Sequence, residues 1–195
     1  GELSRLTKGE LPNDLVNICY KFPSDAVTSA VEALAKLANH PDATSDSIQA
    51  KKLFKLATQF YSYLVKTKDI TNDFSSMKKS VRDNVRRALA ALGSICRFYE
   101  CEGEVDDYNL DPSVFSVETD TTKLELANNV LSNAAFALFL EYLNKEDAST
   151  KCLALRAMNG VFISRPRVVL VAEQLGIITS VIGKDAPPSV QVESL

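Results

Sequence analysis

The apolar positions of this chain recur every three to four residues over long stretches, which is the spacing of one face of an α-helix. The clearest stretch is 76–99, whose apolar positions are Val85, Ala88, Leu89, Leu92, Ile95, Cys96 and Tyr99. Apart from 190–192 near the C-terminus, no stretch shows the apolar–polar alternation of a half-buried strand. The pattern therefore predicts an all-α fold.

The other predicted helices follow from the same spacing and from residues that begin or end helices. Thr122 and Glu125 have the spacing of a capping box, Pro166 disfavours helix at the residue before it, and Gly183 is a suitable C-terminal cap. The further helices are predicted at about 11–22, 24–39, 46–68, 122–142, 148–164 and 167–182. We therefore expect about seven helices.

The order of these helices indicates a repeat scaffold. Helices joined by short polar turns form arrays or bundles, and the hairpin 123–164 favours an array. In that hairpin a long apolar helix leads through a turn with Asp147 to a helix with Arg156 and Gly160, as in HEAT-type repeats. We expect 1–195 to be a fragment of a longer α-solenoid of HEAT-type helical hairpins. Its parts are weaker repeats at 11–70, a basic helix at 76–99, an acidic loop at 100–122, the HEAT hairpin at 123–164 and a last helix at 167–183.

Candidate catalytic chemistry is sparse in this sequence. There is one histidine, His40, and the seven glycines form no phosphate-binding loop. The four cysteines lack the Cys-x-x-Cys spacing of a zinc site, and we expect them to be free thiols. The sequence therefore predicts a non-catalytic protein with no metal and no cofactor.

Charge is the most informative chemical feature. The net charge of −3 predicts no general attraction to nucleic acid or to a membrane, so such binding would need a local patch. The helix 76–99 offers one, with six cations against Asp83 alone. At 100° per residue, Lys79, Arg82, Arg86 and Arg97 fall within about 60° of one another. Together with Lys78 they form a basic ridge that could contact a DNA backbone. A solvated face, partly paired with the acidic loop 100–122, is the alternative interpretation.

Two segments resemble a known family. Segment 86–102, RRALAALGSICRFYECE, resembles a helix end of the Nipped-B-like cohesin loaders, and 130–171 resembles the next hairpin of that family. The resemblance implies a large hook-shaped HEAT scaffold that binds double-stranded DNA and cohesin subunits, namely the SMC heads and the kleisin. It also implies that the protein promotes cohesin loading on chromatin and stimulates the cohesin ATPase. A loader partner subunit would bind elsewhere on the full-length protein. The location would be nuclear, with no contact to a membrane.

A second interpretation stays open. A HEAT or armadillo scaffold of nuclear transport or vesicle trafficking would bind protein and no DNA. The two differ in the basic ridge, which a loader would keep exposed and unpaired.

Overall fold

A computed structural model describes residues 11–22, 24–38, 48–69, 74, 76–98, 134–145, 147–164 and 172–182. All regular secondary structure within these ranges is α-helical, which confirms the all-α prediction. The helices are α1 (Leu11–Lys21), α2 (Ser24–Ala38), α3 (Ile48–Thr67), α4 (Lys79–Phe98), α5 (134–143), α6 (Ala148–Ser164) and α7 (Ala172–Ile182).

The helix bounds differ little from the predicted ones where both can be compared. The basic helix begins at Lys79 rather than at Ser76, because Ser76 lies in a turn and Met77 in a bend. Several predicted features lie outside the described residues. These are the acidic loop 100–122, the capping box of Thr122 and Glu125, the first half of the helix 122–142, and the predicted helix start at Arg167.

Helix α4 lies at the centre of the packing. Every residue from Ala88 to Cys96 is buried, and α4 packs against α2, α3 and α6, with a smaller contact to α1. Many of these buried residues are small, so neighbouring helices can approach closely. The most extensive contact in the described structure is the one between α4 and α6.

Two glycines allow α4 and α6 to approach closely. A Cβ atom on Gly93 would lie 2.5 Å from the Cβ of Ala157 and 2.6 Å from its Cα. A Cβ on Gly160 would lie 2.9 Å from the carbonyl oxygen of Gly93 and 3.0 Å from the Cβ of Arg97. Only hydrogen fits at these two positions, so the helix crossing depends on both glycines.

The helix contacts mostly join neighbours in chain order. Consecutive helices α1–α2, α2–α3 and α3–α4 pack together, and so do the next-but-one pairs α1–α3, α2–α4 and α4–α6. Helix α5 continues the pattern, because Tyr142 contacts α3 and Phe136 packs edge-on against Phe162 of α6, with 5.3 Å between the two ring centres. Helix α7 adds Ile177, which packs at the edge of the core.

A buried polar contact fixes α5 on α3. The Tyr142 hydroxyl donates a hydrogen bond to the carbonyl oxygen of Leu64 at 2.7 Å and lies 2.9 Å from the hydroxyl of Thr67. Burial raises the pKa of Tyr142 to about 12. Beside it, Lys145 donates to the carbonyl oxygen of Lys68 at 2.8 Å, beyond the end of α3. The Leu64 carbonyl also accepts the backbone N–H of Lys68 at 2.9 Å, so these side-chain bonds add to the backbone bonding at the end of α3 and hold α5 against it.

Candidate functional site

The N-terminal part of the predicted basic ridge is accessible. Lys78 and Lys79 are exposed at the start of α4, and Arg82 is partly buried one turn later. Within the described residues, none of these three side chains forms an ion pair. Three positive charges therefore lie close together at the start of α4.

Arg86, in contrast, binds within the chain. Its Nη2 atom lies 3.2 Å from Oδ1 and 3.1 Å from Oδ2 of Asp147, at the turn between α5 and α6. The two side chains are only 30% and 25% exposed, so water screens this pair incompletely. The Arg86 guanidinium also lies 5.8 Å from the centre of the Phe74 ring and 3.8 Å from the carboxylate of Asp83. The expectation of an unpaired ridge therefore does not hold at Arg86.

Asp147 has a second role as the cap of α6. Its Oδ2 accepts hydrogen bonds from the backbone N–H of Thr150 at 2.8 Å and from the Thr150 hydroxyl at 2.7 Å. Burial would raise the pKa of the Asp147 carboxyl, but the hydrogen bonds from Thr150 and Arg86 outweigh it, and the pKa lies below its usual value. The carboxylate thus joins the start of α6 to the middle of α4.

Arg87 is also used in packing. Its Nε donates to the carbonyl oxygen of Phe22 at 2.8 Å, and its Nη1 donates to Oδ1 of Asn84 at 2.9 Å. This contact ties α4 to the end of α1. Two of the six cations predicted on this helix, Arg86 and Arg87, therefore bind other parts of the chain and stabilise its packing.

Arg97 lies at the other end of α4 and is exposed. Its guanidinium lies 5.0 Å from the centre of the Phe98 ring, within the range of a cation–π contact. The intramolecular pairing of Arg86 thus divides the ridge into an N-terminal cluster, formed by Lys78, Lys79 and Arg82, and a separate cation at Arg97.

Arg97 borders a small cleft between α2, α4 and α6. Its lining includes the small residues Ala90, Gly93 and Ala157 together with Thr28 and Ser94. Arg156 also lines the cleft, and among the described residues no acidic side chain lines it. The cleft has a volume of ≈ 30 Å³, which is about the volume that one molecule occupies in liquid water. It is far smaller than the roughly 300 Å³ at which small-molecule pockets begin.

The remaining candidates have ordinary structural roles or lie outside the described residues. Cys19 and Cys96 are buried free thiols, and Cys152 is a partly buried one. In the described part of the chain, no cluster of three or more metal-ligating side chains is present, and no helix is long and apolar enough to cross a membrane. His40 and Cys101 fall outside that part. Comparisons with protein-family models, with curated proteins and with solved structures found no match.

Proposed function

We propose that this chain is a non-catalytic segment of a HEAT-type α-solenoid, which acts as a binding scaffold. The observation that carries the proposal is the order of the helix contacts. Helices α1, α2 and α3 each pack on the next helix and on the next but one, and α4 packs on α6. We infer from this order that α1, α3 and α5 form one layer and that α2, α4 and α6 form the other. Contacts of this order support stacked helical hairpins, because such hairpins bury their core only against neighbouring repeats.

The partner that we propose is the cohesin complex together with double-stranded DNA. The resemblance of 86–102 and 130–171 to the cohesin loaders supports this partner. The cluster of Lys78, Lys79 and Arg82, of which the two lysines are exposed, also supports it, because lysine and arginine supply most contacts to phosphate. In this role the segment contributes shape and contacts to cohesin loading on chromatin, and the ATPase that it stimulates belongs to cohesin.

A protein-binding scaffold of nuclear transport or trafficking is the second candidate. The pairing of Arg86 with Asp147 favours it, because this pair removes a central cation from the ridge. Fewer free cations mean fewer phosphate contacts and weaker binding to DNA.

The two candidates differ in the salt dependence of duplex DNA binding. Fluorescence anisotropy with a labelled duplex would compare the chain with the variant K78A/K79A/R82A. The variant K21A/K55A/K66A is the matched control, since it removes the same charge from exposed positions on α1 and α3. If the cluster binds phosphate, the slope of log K against log salt becomes shallower by up to about 0.9 for each lost contact.

Equal binding by both variants would contradict a specific role for the cluster. Absence of DNA binding by the unaltered chain would contradict the DNA role and favour the protein-binding scaffold.

A further inference from the structure

Arg86 lies next to the N-terminal cluster of α4, but Asp147 holds its side chain. Arg86 follows Arg82 by four residues and Lys79 by seven, so the three side chains project from one face of the helix. The Arg86 side chain is 30% exposed, so it is not sealed within the core. A change of partner at this one side chain would therefore extend the cluster from three cations to four.

The pair with Asp147 uses the guanidinium of Arg86 incompletely. Both oxygens of Asp147 contact the same nitrogen, Nη2, whereas the strongest pairs of arginine with a carboxylate or a phosphate use two nitrogens in parallel. The Nη1 atom lies 3.8 Å from the Asp83 carboxylate, which exceeds a hydrogen-bond distance. The Nε atom is buried and has no hydrogen-bond partner within the described part of the chain. Because a buried N–H without a partner is unfavourable, this arrangement is weaker than an arginine pair of full geometry.

Asp147 keeps other partners when Arg86 leaves it. Its Oδ2 accepts the backbone N–H of Thr150 at 2.8 Å and the Thr150 hydroxyl at 2.7 Å, within the first turn of α6. These bonds cap α6 whether or not the guanidinium is present. Release of Arg86 therefore leaves the Asp147 carboxylate hydrogen-bonded and the start of α6 intact.

We propose that the pair of Arg86 with Asp147 is an autoinhibitory contact, which withholds one phosphate-binding cation from the basic ridge. Asp147 competes with a backbone phosphate of duplex DNA for the guanidinium. When a duplex occupies the neighbouring cluster, Arg86 turns to a phosphate and binds it through two nitrogens, the fork geometry that suits arginine and phosphate. The inference rests on the DNA role proposed above and adds that Asp147 limits the affinity.

The test measures binding of the full chain to the labelled duplex at several salt concentrations. Asp147→Asn removes the competing charge, and Asp147→Ser is a second variant whose shorter side chain still caps a helix. Both are made with and without Arg86→Gln, which removes the withheld cation. Asp83→Asn is the matched control, because it removes the same charge beside the same guanidinium but leaves the hydrogen bonds to Asp147 in place. Circular dichroism would verify that each variant folds.

We expect both Asp147 variants to bind DNA more tightly than the unaltered chain. The slope of log K against log salt should become steeper by up to about 0.9, the value of one added phosphate contact. The same substitutions in the Arg86→Gln background should not steepen the slope, because the gain acts through Arg86. Asp83→Asn should steepen it by less than half as much, since it changes the local charge and releases no hydrogen bond.

An equal change of slope with and without Arg86→Gln would show that only the local charge matters, and it would overturn the inference. Equal effects of Asp147→Asn and Asp83→Asn would overturn it as well. If the unaltered chain binds DNA and the Asp147 variants bind it with the same slope, the inference fails and the DNA role stands. Binding by the Asp147 variants alone would support the inference, and absence of binding by every protein would contradict both proposals.

Discussion

The pair formed by Arg86 and Asp147 makes a direct prediction about stability. Asp147→Ala removes the cap of α6 and both hydrogen bonds to the Arg86 guanidinium. The loss of an N-cap costs about 0.5–2 kcal/mol. The loss of a hydrogen bond to a charged group costs about 1.5–3 kcal/mol. Because Arg86 is 30% exposed and water can partly solvate it, we expect a combined loss of about 2–3 kcal/mol.

Two variants separate the contributions within this site. Asp147→Asn keeps an oxygen that can cap the helix and removes the charge, so its loss should be about half that of Asp147→Ala. Asp83→Ala is the matched control, since its carboxylate lies 3.8 Å from Arg86 in a partly exposed pair and should contribute less than about 0.5 kcal/mol.

Urea unfolding at pH 7, followed by circular dichroism at 222 nm, measures these losses as differences in the free energy of unfolding. A double-mutant cycle with Arg86→Ala should give a coupling energy of about 1–2 kcal/mol between Arg86 and Asp147. Equal losses in Asp147→Ala and Asp83→Ala, or a coupling energy near zero, would refute the argument that this pair joins α4 to α6.

Three further predictions concern the same packing. Gly93→Ala should destabilise the chain by about 1–3 kcal/mol, because the new methyl group overlaps Ala157, whereas Gly176→Ala in the open part of α7 should be neutral or stabilising in the same urea titration. Tyr142→Phe should cost about 0.5–1.5 kcal/mol by removing the hydrogen bond from the Tyr142 hydroxyl to the Leu64 carbonyl, which keeps its bond from the Lys68 N–H, and an unchanged unfolding midpoint would contradict that role. The pKa of Asp147 is lower in the folded chain than its ordinary value of 3.8, so the ionised carboxylate stabilises the fold when the pH is above 3.8. This stabilisation is lost as the pH falls through the lowered pKa of the folded state. The free energy of unfolding of Asp147→Asn should therefore depend less on pH below about pH 4.

The helical architecture could be predicted from the sequence because its signals are local. The three- to four-residue spacing in α4 and the start and end of α6 follow from residues that are near one another along the chain. The long apolar helix predicted at 122–142 is helical over its described part, and Ala137 and Glu141 are the two exposed residues among 134–142.

The roles of the cations could not be predicted in the same way. Arg86 has an acidic partner 61 residues away, and Arg87 binds a carbonyl oxygen 65 residues away. Helical periodicity places both side chains on a face of α4, but it does not show what packs on that face. The cleft at Arg97 depends likewise on the close crossing of α4 and α6, which the isolated glycines in the two segments indicate only in retrospect.

We propose that the helices form stacked layers and not a closed bundle, and the distance between α2 and α6 distinguishes the two arrangements. Spin labels at the exposed positions 29 on α2 and 159 on α6 would report how far apart these helices lie on either side of α4, with Cys101 and Cys152 changed to serine. Two helix packing distances of about 8–10 Å each predict an interspin distance of roughly 20 Å or more by pulsed electron resonance. A distance near 10 Å, which is that of directly packed helices, would contradict the layered arrangement and the solenoid scaffold proposed from it.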